Sequence, residues 1–216
     1  MKICVVVPII SKEFIKKEDV RKRVGNYVRP DTEVDFVFID YGPASIESRY
    51  DDVMAAPFVV KKAEWAEKNG YDAVVVSCMM DPGVKAAKEA LDIPVVGPGE
   101  AARAIASILG EKVARIYPRG ITVLELRKDP ERTYKVLLEN AKKALSEGAQ
   151  VLILGCTGLT GYAKRLQEEL GVPVLEGEGL ALALAQLFVD VGLSQSKLAY
   201  RKPPKKKRVL PGFEEE

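Results

Sequence analysis

The stretch "VVVSCMMDPG", residues 74–83, decides how the rest of the chain is read. Three valines form a β-type apolar run with no polar alternation, which suits a strand buried on both faces. The run then stops at a cysteine followed by Asp-Pro-Gly, a turn signal. A second stretch, "LILGCTGLTG" (residues 152–161), repeats the pattern with Cys156.

The repeat extends outward from both cysteines. In residues 69–97 and again in residues 147–177 the order is Gly, apolar run, Cys, loop, amphipathic segment, then "IPVVG" or "VPVLEG". Gly70 to Cys78 and Gly148 to Cys156 are both 8 residues, and the cysteines precede Pro94 and Pro173 by 16 and 17 residues. Two βαβ units of matched length imply two similar lobes. Each presents its cysteine at the carboxyl end of a strand, the edge where open parallel sheets bind ligands. Related by pseudo-symmetry, the lobes would place the cysteines face to face across a cleft.

Along the whole chain, strands are expected at residues 3–7, 34–39, 73–77, 95–96, 113–117, 151–154 and 172–175. Helices are expected at 16–27, 53–69, 83–91, 100–109, 132–147, 162–170 and 178–191. Apolar strands alternating with amphipathic helices specify α/β architecture: mainly parallel sheets covered on both faces. From Arg201, "RKPPKKKRVLPGFEEE" is a shift in composition that reads as an extended charged arm. Its "PKKKRV" superficially resembles a nuclear import signal, but a solvated tail, or one packed on a neighbouring subunit, is the simpler reading.

The 216 residues are 47% hydrophobic and 30% charged, ordinary for a globular protein, and the formal charge of +2 steers the chain to neither nucleic acid nor membrane. Scarce Asn and Gln beside abundant Lys and Glu suit a thermophilic source. The chain opens on a strand-like segment without a signal-peptide pattern, and no uncharged apolar run approaches the roughly 18 residues of a membrane span. A cytoplasmic location is expected.

Histidine is absent. That removes Ser-His-Asp and Cys-His catalysis and every His-ligated metal. Cys4, inside "KICVVV", reads as a small core hydrophobe. For Cys78 and Cys156 the repeated position argues for function. A disulfide is disfavoured in the cytoplasm, zinc wants four ligands, and redox work usually carries Cys-x-x-Cys. Acid–base work remains: two opposed thiols can take a proton from one face of a carbon and return it to the other. Loops running into helix N-termini are expected to lower the thiol pKa. Ser45 and Glu47 could bind substrate or cap the helix that follows. Asp81 could orient Cys78 or cap the next helix. Gly83, Gly158 and Gly161 suit turn geometry, and Trp65 helix packing.

Several segments together resemble the aspartate/glutamate racemase superfamily and, within it, the hydantoin/allantoin racemase branch. They are "YGPASIESRYDDVMAAP" (41–57), "GYDAVVVSCMMDPGVKAAKE" (70–89), "IPVVGPGEAA" (93–102), "LGCTGL" (154–159), "VPVLEGEGLALALA" (172–185) and "GLSQSK" (192–197). The resemblance implies a cofactor-independent racemase, without a metal, acting on a small molecule through Cys78 and Cys156 as the two bases. The backbone N–H groups of Met79, Met80, Thr157 and Gly158 would steady an enolate-like oxygen, and Pro8 to Ser11 would lie at the cleft. It further implies a first lobe of residues 1–97 completed by about 179–197, a second of 98–178, a tail of 198–216, and a homo-oligomer. The chain departs from the branch in two places. "VPIIS" (7–11) keeps Pro8 and Ser11 but lacks the branch's asparagines, and Tyr117-Pro118 stands where threonines are usual. A 5-substituted hydantoin is the expected substrate. The alternatives are a free acidic amino acid, cis–trans isomerisation by the same cysteines, and a non-catalytic ligand-binding protein on this scaffold.

Overall fold

The computed structural model describes residues 1–12 and 24–209. Most of the helix expected at 16–27, and the end of the tail, lie outside the described residues. Two parallel sheets form the framework. The first contains β1 (Lys2–Val7), β2 (Glu33–Phe38), β3 (Ala73–Val76) and β4 (Val95–Val96), in the order β2-β1-β3-β4. The second contains β5 (Val113–Ile116), β6 (Val151–Leu154) and β7 (Val174–Leu175), in the order β5-β6-β7. Every strand pairing is parallel, and Val74 sits between Cys4 and Val95 in register. The apolar runs are therefore strands because both of their faces are covered. All four residues of β3 and all four of β6 are buried.

Among the described residues, six α-helices of seven or more residues accompany the strands: α1 (Arg49–Lys68), α2 (Val84–Ala90), α3 (Pro98–Leu109), α4 (Pro130–Ser146), α5 (Ala163–Leu170) and α6 (Gly177–Asp190). The helix expected from residue 53 starts four residues earlier. Ser48 caps it in a reciprocal box with Asp51, and the helix continues through Pro57. Likewise α3 begins at Pro98, with the Glu100 carboxylate accepting from the Gly97 N–H at 3.0 Å.

The repeat seen in the sequence is a repeat of topology. β1-β3-β4 matches β5-β6-β7, and each cysteine stands two residues beyond the end of its strand, Cys78 after Val76 and Cys156 after Leu154. The helices that follow β4 and β7 cross over. From α3, Ala102 and Ala106 pack on Val151 and Ile153 of β6. From α6, Ala181, Leu182 and Ala185 pack on Ile3, Val5 and Val75 of the first sheet. Alanines let these helices lie close to the strands and to each other. This exchange clamps the two sheets together and holds their cysteine edges opposite one another. Burial of each large apolar side chain here contributes about 1.5–3 kcal/mol. Beyond α6, Lys202 pairs with Asp92, and residues 201–207 are exposed and outside any helix or strand. None of the described helices is long and apolar enough to cross a membrane.

Candidate active site

Cys78 and Cys156 border the same space. An inner cavity of about 30 Å³ is lined by Pro8, Ser77, Cys78, Cys156, Thr157 and Gly158, with Ile46 and Val123 among the residues closing it. An outer cavity of about 310 Å³ shares Cys78, Cys156, Thr157, Ile46 and Val123 with it and adds Met79, Met80 and Tyr117. The two thiols thus stand at the junction of a small chamber and a larger one, both walled mostly by apolar groups. Neither is in a disulfide, and both are partly buried.

The loops holding the thiols are built alike. The Gly158 N–H donates to the Cys156 sulfur at 3.3 Å, and the Met80 N–H bonds to Cys78. Each sulfur therefore accepts from the amide two residues further on. Such a bond favours thiolate, yet at Cys78 it is outweighed: burial pushes this thiol up to about 12, helped by Cys156, Asp52 and Asp81. The expectation of a lowered pKa is corrected at this residue. The helix after Cys78 begins only at Val84, too far along the chain to offset desolvation.

Of the other residues singled out in the sequence, Pro8, Glu47, Met79, Met80, Thr157 and Gly158 border the cavities. Ser11, Ser45 and Asp81 are not among the described residues lining them. The Ser11 hydroxyl donates to the Ala44 carbonyl at 2.8 Å, tying the first loop to the 41–48 segment. Ser45 donates to Glu47 at 2.9 Å, while the helix cap is Ser48. The Asp81 N–H donates to the Cys78 carbonyl at 3.0 Å, but its carboxylate neither bonds the thiol nor caps α2, whose N-cap is Gly83 without a side-chain bond. With φ at 58°, its carboxylate instead turns to the N-terminus of α3, accepting from the Gly99 N–H at 2.7 Å and from Arg103 at 3.3 Å. An aspartate tolerates that left-handed backbone better than most residues.

Two acids at the start of α6 were not read from the sequence. Glu178 is 1% exposed and bridges the cysteine loops: the Ser77 hydroxyl, beside Cys78, donates to one oxygen, and Thr160 donates to the other at 3.3 Å. Thr157 closes the link by donating to the Ser77 carbonyl at 3.1 Å. Glu176 accepts from the amides of Gly161 and Ala163 at 2.6 and 2.9 Å and from the Tyr27 hydroxyl at 2.8 Å, which fixes the end of the Cys156 loop. The signal lay in "LEGEGL", where two acids interrupt a segment otherwise suited to the core. A third carboxylate, Asp52 in the first turn of α1, has a buried Oδ1 without a hydrogen-bond partner among the described residues, and burial raises its pKa.

A doubled parallel α/β framework with paired cysteines at its facing strand edges defines a class of two-lobed proteins with the site between the lobes. The family model for Asp/Glu/hydantoin racemase matches residues 17–116 and 103–185, and the chain belongs to this family. By that membership it is an enzyme of the racemase and isomerase class. It is 34% identical to a hydantoin racemase of Pseudomonas sp. (strain NS671), over 99% of this chain and 96% of that one. The allantoin racemase of Klebsiella pneumoniae superposes with a TM-score of 0.87 at 27% identity, covering 98% of this chain and 97% of that one. Arylmalonate decarboxylase shares the fold, with a TM-score of 0.65 at 18% identity over 89% of this chain and 94% of that one.

Proposed function

We propose that the protein is a cofactor-independent hydantoin racemase in which Cys78 and Cys156 are the two bases. The observation that carries this reading is the shared wall: both thiols, from equivalent positions after β3 and β6, border one pair of connected cavities. One cysteine, as thiolate, takes the proton from the ring carbon bearing the substituent. The C–H electron pair moves into the adjacent carbonyl, giving an enolate. The other cysteine, as thiol, delivers its proton to the opposite face, so the two sulfurs finish with their protonation exchanged. Amides at the start of each cysteine loop favour charge on sulfur and on the enolate oxygen.

A neutral heterocycle suits this site better than a free amino acid. Neither cavity is lined by Arg or Lys among the described residues. The α-carboxylate of an amino acid would therefore be desolvated without a cation, which is costly. An apolar cavity of about 150 Å³ holds benzene, so the inner chamber admits a ring only if Ile46 and Val123 part. The proposed lobes are residues 1–97 with about 179–197, and 98–178, a division supported by the crossing of α3 and α6 between the sheets.

The test is incubation with enantiopure 5-substituted hydantoins in deuterated water, with optical rotation and deuterium at the ring carbon followed together. The spontaneous rate is subtracted with the double Cys78→Ser, Cys156→Ser protein. Loss of rotation matched by deuterium uptake is expected. Absence of exchange above that background would overturn the reading.

A further inference from the structure

The outer cavity has a character that the two-base chemistry alone does not require. Its wall is mostly apolar, formed by Ile46, Met79, Met80, Tyr117, Ile121 and Val123. Tyr117 follows β5 and lies flat on the backbone just before Cys156: a Cβ placed on Gly155 would come within 2.3 Å of its ring. Only glycine leaves room for the ring there. The residue is also held at its backbone and at its hydroxyl. Asn140 donates to the Tyr117 carbonyl at 2.8 Å, and Arg115 donates to its hydroxyl at 3.3 Å. A fixed aromatic face therefore stands next to one of the two thiols, at the mouth of a space of about 310 Å³.

We propose that this outer cavity is the subsite for the substituent on the inverted carbon, and that the Tyr117 face on Gly155 selects a bulky apolar or aromatic substituent over a polar ureido group. The inference rests on the hydantoin reading and names the substrate class within it. A carbon held between Cys78 and Cys156 has its proton line occupied by the sulfurs, so its ring and its substituent must leave in the remaining directions. The inner chamber, about 30 Å³ and walled mostly by apolar groups, is too small for a bulky group. The outer chamber, about 310 Å³, is left for the substituent. A ureido group carries several N–H donors and a carbonyl, and burying them without partners is unfavourable. The outer chamber's one charged lining residue among those described is Glu47, which already accepts from Ser45. An arylmethyl group asks for no partner and gains an aromatic contact.

The experiment compares kcat/KM for three enantiopure substrates: 5-benzylhydantoin, 5-methylhydantoin and allantoin. The wild-type protein is expected to favour benzyl over both others by about tenfold or more, the scale on which apolar pockets discriminate. Tyr117→Ala should lower the benzyl-to-methyl ratio about tenfold, whereas Tyr117→Phe should keep it within about twofold. Because it is a ratio, partial unfolding of a variant does not move it. If methylhydantoin is turned over without a benzyl preference, or if allantoin is the best substrate, the subsite assignment is overturned while the two-base reading stands. An unchanged ratio in Tyr117→Ala removes the role of the tyrosine. Failure to turn over any of the three overturns the racemase reading and the subsite with it.

Discussion

The two cysteine loops have the same backbone plan and opposite surroundings. Both follow a buried strand by two residues, and both turn the second amide back onto the sulfur. After Cys78 come Met79, Met80 and a carboxylate at Asp81, and Asp52 adds a second acid nearby. After Cys156 come Thr157, Gly158 and Thr160, which supply hydroxyl and amide donors. Burial and the nearby acids hold the Cys78 thiol neutral, while the Cys156 sulfur accepts from the Gly158 amide. The proposed two-base inversion needs one sulfur in each state, and the unlike loops make the two positions chemically distinct.

The largest effect expected short of removing a cysteine comes from breaking the link between the loops. Glu178→Ala leaves Ser77 and Thr160 without their shared acceptor and should lower kcat about 10²-fold, since small misplacements of reacting groups cost that much. Glu178→Gln keeps one acceptor and should lose about tenfold. In both variants KM should stay within about twofold, because Glu178 acts as a positioning residue and does not line the cavities. A rise in KM with unchanged kcat would contradict that role.

The difference between the thiols can be sharpened by titration. Cys78, with its pKa at about 12, should resist iodoacetamide at pH 8 and become reactive only as the pH climbs toward 12, read by mass spectrometry of the modified peptide. Asp52→Asn removes one of the charges that raise this pKa and should move the reactivity curve to lower pH. A Cys78 alkylated at neutral pH would overturn the assignment. The same shift has a stability consequence. Cys4 and Cys78 are both raised to about 12, so in the folded state both favour the neutral thiol. Their contribution is fully present below the unfolded thiol pKa of about 8.5 and is lost as the pH rises from there toward 12. The melting temperature should fall across that window.

Cys4 is the control for position. It is fully buried inside β1 and away from the cleft. Cys4→Ser should lower stability by about 1–3 kcal/mol by burying a hydroxyl without a partner, while kcat/KM of the folded fraction is unchanged. Loss of turnover in this variant with an intact fold would show that thiol chemistry is not confined to the two strand tips.

Much of this was legible in residues 74–83 and 152–161. Strands buried on both faces have no amphipathic ambiguity, and a repeat that conserves the cysteine's place after its strand marks that place for use. The α/β class and the pairing of the two cysteines followed from those features. Partners brought together by tertiary packing were not legible. Asp81 looked like a cap for α2 or a neighbour for Cys78, but it reaches the N-terminus of α3 because the crossed helix lies closer. Glu178 stands at the start of a predicted helix without any sequence signal of its partners, and only the meeting of the two sheets gives it both loops. The direction of the Cys78 shift has a related cause: a helix near in sequence is not near enough in space, and burial dominates.

The measurement that tests the central claim most directly is hydrogen exchange by the single-cysteine variants, with each enantiomer of one hydantoin supplied separately in deuterated water. Cys78→Ser and Cys156→Ser should each lose racemisation by about 10²–10⁴-fold, the range for removal of a general acid or base. Each should retain exchange at the ring carbon of one enantiomer, and the enantiomer should differ between the two variants. Racemisation near the wild-type rate in either variant, or exchange of the same enantiomer by both, would contradict an inversion carried between these two sulfurs.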